Sequence, residues 1–141
     1  MTHPKVTFYQ IKNNSMKIQL ICQKCSDAYK YEKRLLITAP NLQAANYLDT
    51  LLWKLPENLF LPHVVTDLPT AEWIAITLQI EANINQASQL LNLWNDIPQK
   101  LQNTEEIFEI FDETHPDKRA VSEKKLAFYQ SNGMKVNIKT L

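Results

Sequence analysis

Cys22-Gln23-Lys24-Cys25 is the first stretch whose residue types and spacing could do chemistry. Two thiols separated by two residues serve either as half of a zinc site or as a redox couple. Zinc would need two further ligands at suitable spacing, and the histidines His3, His63 and His115 are scattered. A redox pair is activated at a helix N-terminus, where the dipole lowers the thiol pKa. Here the pair falls in the middle of a helical stretch, on its apolar side, so it reads as two buried structural thiols with no metal and no cofactor. His63 follows Pro62 beside a strand, with no Ser or Cys nucleophile that can be placed next to it. It reads as a hydrogen-bonded structural residue. Glu105, Glu106 and Glu109 alternate with Ile and Phe and so read as the solvated side of a strand.

Two other groups suit contacts with partners. Leu48, Leu51 and Leu52 mark the buried side of a helix that ends at Trp53, close to Phe60, Pro62 and His63. Large aromatics at such a rim either fill the core edge or anchor a protein partner. The second group is basic. Lys118, Arg119, Lys124, Lys125, Lys135 and Lys139 stand against Glu123 alone, after an acidic segment from Glu105 to Asp117. That helix is either a solvated face or a dock for an acidic partner, whether peptide or phosphate backbone. Phe128 and Tyr129 beside the cations suit a peptide that ends in an apolar residue and a carboxylate.

The elements that must position these residues follow from periodicity. At 141 residues the chain is most simply one domain, residues 1–141. Its net charge of zero points to neither nucleic acid nor membrane. No apolar run reaches the roughly 20 residues that span a bilayer, and residues 1–10 lack the apolar region of a secretion signal, so a cytoplasmic protein is expected. The single glycine, Gly133, excludes the glycine-rich loops that cradle phosphates.

Alternation predicts a strand over Lys5–Ile11, helical spacing a helix over Met16–Lys33, and an apolar run before Pro40 a strand over Arg34–Ala39. Asn41 can cap the next helix, and Phe60–Val65 reads as a third strand. This β-α-β-α-β order favours a parallel sheet with right-handed crossovers. Further strands are expected at 73–78, 89–94, 106–112 and 134–141, with a loop at 79–88 and a short helix starting near Asp96-Ile97-Pro98. Thr114 can cap a last helix, with Pro116 in its first turn and Asp117 as capping-box acid. Gly133 would end that helix in a left-handed conformation.

In order along the chain, Val6-Thr7-Phe8-Tyr9, Arg34-Leu35-Leu36-Ile37, Tyr47-Leu48-Asp49 through Leu52-Trp53, Phe60-Leu61-Pro62-His63, and Lys124-Lys125 with Tyr129 and Gly133 form a set. Together they resemble the chi subunit of bacterial DNA polymerase III holoenzyme, a clamp-loader accessory protein. The LD…LW…F.PH pattern is the most specific part; residues 66–105 match poorly. The resemblance implies a Rossmann-like three-layer α/β domain with a mainly parallel sheet, helices on both faces and no nucleotide-binding loop. It further implies a non-enzymatic adaptor that forms a heterodimer with the psi subunit and captures the acidic C-terminal tail of single-stranded DNA-binding protein. Nucleic acid would then be contacted only indirectly. By resemblance, Trp53, Phe60, Pro62 and His63 lie at the psi surface, and Arg119, Lys124, Lys125 and Tyr129 at the tail site. Glu123 stands where the family's tail-binding arginine is expected, and Lys124 or Lys125 would take its place. The competing readings are a nucleotide-binding enzyme on the same fold and a direct single-stranded DNA binder. The missing glycines disfavour the first. The clustering of Phe128 and Tyr129, rather than a spread along a basic groove, disfavours the second.

Overall fold

The computed structural model describes residues 3–54, 61–98 and 103–141. Strands β1 (Lys5–Ile11), β2 (Leu35–Thr38), β3 (His63–Val65), β4 (Ile74–Thr77), β5 (Gln89–Asn92), β6 (Glu106–Asp112) and β7 (Val136–Thr140) form one sheet. Its order is β3-β4-β2-β5-β6-β1-β7, and every neighbouring pair is parallel. Among the described residues the helices are α1 (Asn14–Lys30), α2 (Leu42–Trp53) and α3 (Pro116–Ser131).

The chain runs from β1 through β2 to the β3 edge and then returns strand by strand to β7. Right-handed crossovers place the outward and returning connections on opposite faces of a parallel sheet. The core divides accordingly. Leu20, Ile21 and Cys25 of α1 and Ala45, Leu48 and Leu52 of α2 pack with Ile37, Ile76 and Ile110 on one face. On the other face Tyr129 and Leu126 of α3, with Ile84, Ala87 and Ile97 from the connections after β4 and β5, cover Phe8, Leu36 and Ile107.

Local sequence explains the helix ends. Asn13 caps α1, its side chain accepting from the Met16 N–H at 2.9 Å, and Asn41 does the same for α2 through Ala44 at 2.8 Å. For α3 the cap is His115, not the expected Thr114. The His115 Nδ1 accepts from the Asp117 N–H at 3.2 Å, while the Thr114 hydroxyl is drawn back to Asp112 Oδ1 at 2.5 Å. Gly133 adopts φ +74°, the left-handed residue after α3. No helix begins at Asp96-Ile97-Pro98 within the described residues, and Phe60 lies outside them.

The carboxyl ends of β2 and β5 are where this topology would open a ligand crevice, because the chain leaves them in opposite directions. Side chains close that point. The Thr38 hydroxyl donates to Asn92 Oδ1 at 2.7 Å, and the Asn92 amide donates to the Asp96 carbonyl at 2.9 Å.

Candidate functional site

Beneath α3 lies a buried polar cluster centred on Glu109. The sequence pattern put Glu109 on a solvated strand side; in the structure it is fully buried. The reason is position in the sheet. β6 is an interior strand with β5 on one side and β1 on the other, and both of its faces are covered. Lys125 donates to Glu109 Oε1 at 3.0 Å, and the Tyr129 hydroxyl and Asn92 amide donate to Oε2 at 2.7 Å and 2.9 Å. Lys125 also donates to the Trp94 carbonyl. Burial pushes the Glu109 carboxyl above the usual carboxylate range, against the pull of Lys125 and the hydroxyl and amide donors. Burial, with Glu109 next to it, likewise pushes the Tyr129 phenol up.

Above this cluster is an open hollow of about 610 Å³. Val121, Lys124 and Phe128 of α3 form one wall, and Ile80 and Ile97, from the segments after β4 and β5, face them. Glu81 and Asp96 mark the far rim. The hollow therefore has an apolar lining, a cation on the helix side and carboxylates on the loop side. Phe128 is 39% exposed, which leaves much of its ring open to a partner.

The structure separates the basic residues singled out in the sequence. Lys124 is exposed at the hollow. Lys125 belongs to the hollow's inner wall, but its ammonium is turned inward to Glu109. Tyr129 has no exposed surface and packs edge-on against Phe8, with ring centroids 5.9 Å apart. Arg119 is exposed and binds Glu123 at 3.2 Å, with Glu113 at 4.0 Å. Lys125 and Tyr129 thus support the floor of the hollow instead of presenting charge and ring to solvent.

At the opposite ends of the strands, and on the other face of the sheet, α2 meets β3. Trp53 is 56% exposed and its ring lies 4.9 Å from that of His63. The His63 side chain is itself buried, with Nδ1 2.7 Å from the Leu61 carbonyl oxygen and Nε2 2.9 Å from Asp49 Oδ1. His63, the first residue of β3, is therefore tied to Asp49 of α2 and supports the indole from behind. Pro62 is half-buried beside it.

Cys25 is buried in the core and Cys22 is half-buried one helical turn earlier; burial raises both thiols, with Cys22 adding to the effect on Cys25. Among the described residues no group of three or more His, Cys, Asp or Glu side chains is placed to hold a metal ion, and no helix is long and apolar enough to cross a membrane.

Fold and surfaces together define a Rossmann-like three-layer α/β domain whose β2 and β5 ends are tied by the Thr38–Asn92 hydrogen bond and whose α3 face carries an open hollow with an apolar lining. A family model described as DNA polymerase III chi subunit, HolC, matches residues 3–137. The chain belongs to that family and is an accessory subunit of DNA polymerase III, associated with that complex. No curated protein matches it.

Proposed function

We propose that this chain is a non-catalytic bridge in the polymerase III holoenzyme, holding the psi subunit at one end and the acidic C-terminal tail of single-stranded DNA-binding protein at the other. The observation that carries the reading is the hollow, where the apolar lining of Val121, Ile97 and Phe128 meets the exposed ammonium of Lys124. A tail ending in an aromatic residue and a free carboxylate needs an apolar recess for its ring and a cation for its charge. Lys124 supplies the nearest cation and Arg119 lies further along the same helix. Lys125 and Tyr129 serve from beneath. Trp53 and Pro62 form the surface for psi, and His63 acts as its support.

Exposed ion pairs contribute about 1 kcal/mol or less each, so the tail complex is modest in affinity and weakens with salt. The test is a titration of a synthetic acidic peptide ending in an aromatic residue, at low salt, into the native chain and Lys124→Glu. Lys124 is exposed, so the variant keeps its thermal midpoint while its affinity falls about tenfold, the reversal of one close charge contact. Equal affinity in the two proteins removes the hollow as the tail site. Tighter binding to bare single-stranded DNA than to the peptide would favour direct DNA reading instead.

A further inference from the structure

The loop wall of the hollow has no regular structure of its own. Residues 93–98 follow β5 outside any helix or strand, with bends at 94–96, and two of their carbonyls are held from the protein interior. Lys125 donates to the Trp94 carbonyl, and the Asn92 amide donates to the Asp96 carbonyl at 2.9 Å. Both donors converge on Glu109, Lys125 at 3.0 Å and Asn92 at 2.9 Å. Glu109 has no exposed surface and cannot touch anything bound in the hollow.

We propose that the buried Glu109–Lys125 pair has a positioning role for the hollow: with Asn92 it fixes the backbone of residues 94–97, so that the wall is formed before an acidic peptide arrives. This inference rests on the tail-site reading given above. A buried ion pair is weak evidence for stability, because apolar residues of similar volume often serve as well. Direction is what the pair adds here. With its charge balanced by Glu109, the Lys125 ammonium is aimed at a carbonyl that no strand or helix would otherwise engage. The Asn92 amide is oriented the same way, since its Oδ1 is already committed to Thr38 and to the Trp94 N–H at 3.2 Å. A wall ordered in advance need not be ordered on binding, which raises affinity without any new contact.

Glu109→Gln alone would leave the Lys125 ammonium buried without a counter-charge, so the test uses the double variant Glu109→Gln/Lys125→Met in the full chain. Glutamine keeps an acceptor for Asn92 and Tyr129, and methionine keeps length without charge. The readouts are the thermal midpoint, amide hydrogen exchange at residues 94–97 against β6, and affinity for the synthetic acidic peptide. The expected result is a folded protein with β6 exchange unchanged, exchange at 94–97 about tenfold faster, and affinity at least about fivefold lower. A folded double variant whose 94–97 amides stay as protected as in the native chain overturns the proposal. So does one that loses that protection and binds the peptide as well as before. Should the double variant fail to fold, Asn92→Ala cuts the Asp96 tether and the Trp94 N–H bond but leaves the ion pair, and a folded Asn92→Ala chain that binds the peptide as well as the native one overturns the proposal. Failure of the tail-site reading is distinct: the native chain itself would not bind the peptide, and the exchange measurement would then decide the positioning role alone.

Discussion

Glu109 and Asp112 sit on the same strand and respond to pH in opposite senses. Burial raises Asp112 as it does Glu109, but at Asp112 hydrogen bonds from Lys17, at 2.7 Å, and from Thr114 outweigh it and hold the carboxyl below its ordinary range. An unfolded chain then binds a proton at Asp112 before the native one does. Its contribution is therefore present above the ordinary aspartate value, about 3.9, and is lost as pH falls through that value towards the lower native one. Glu109 is the reverse: the native state keeps the proton more readily, so its contribution falls as pH rises from the ordinary glutamate value, about 4.3, through the raised native one. Asp112→Asn should lower stability at neutral pH by about 1 kcal/mol, the worth of a charged hydrogen bond partly open to solvent, and should flatten the acid limb. Urea unfolding at neutral pH and near pH 3 checks this, because the Glu109 contribution is common to both proteins and cancels. An acid limb equally steep in the variant would assign the loss to other carboxylates.

Among the elements, β1 and β6 were legible to their end residues, since alternation and β-branched residues specify strands directly. The Asn41 cap and the left-handed Gly133 were legible for the same kind of local reason. Burial of Glu109 was not read, because alternation alone does not tell an edge strand from an interior one. A signal was nevertheless present: Ile107-Phe108-Glu109-Ile110-Phe111 is apolar on both parities, which marks both faces of β6 as covered. Ser122, Lys125 and Tyr129 recur at helical spacing and share the buried side of α3, a stripe that the basic composition of the helix concealed. The hollow itself could not be read, since its far wall comes from loops whose placement depends on strand order. That wall carries a second consequence. Asp96 is exposed on the rim facing Lys124, where it repels an acidic peptide. Asp96→Asn should tighten peptide binding at low salt by about two- to threefold, the scale of an exposed charge contact, and the gain should vanish at high salt. A calorimetric titration at two ionic strengths measures it, and a gain that persists at high salt would point to a packing change instead.

Across the whole molecule, the two surfaces lie at opposite ends of the strands and on opposite faces of the sheet. Trp53 and His63 stand where β3 begins, on the α2 side; the hollow stands beyond the ends of β4 and β5, on the α3 side. Between them is a parallel sheet with both faces packed by apolar side chains. Coupling between distant sites needs an element with two arrangements that both ligands bias. The bridge reading instead requires a rigid spacer, so that either partner can arrive first. Saturation with psi should therefore leave the affinity for the acidic peptide unchanged within about twofold, a coupling below about 0.4 kcal/mol. Trp53→Ala provides the matching test, because removing a half-exposed indole should weaken psi binding by about tenfold or more, on the scale of an interface anchor. Its peptide affinity and thermal midpoint should stay near native values. Parallel loss of both affinities would mean that Trp53, through His63 and Asp49, holds the α2–β3 corner on which the rest of the fold depends, and the indole would then be a core residue at the rim.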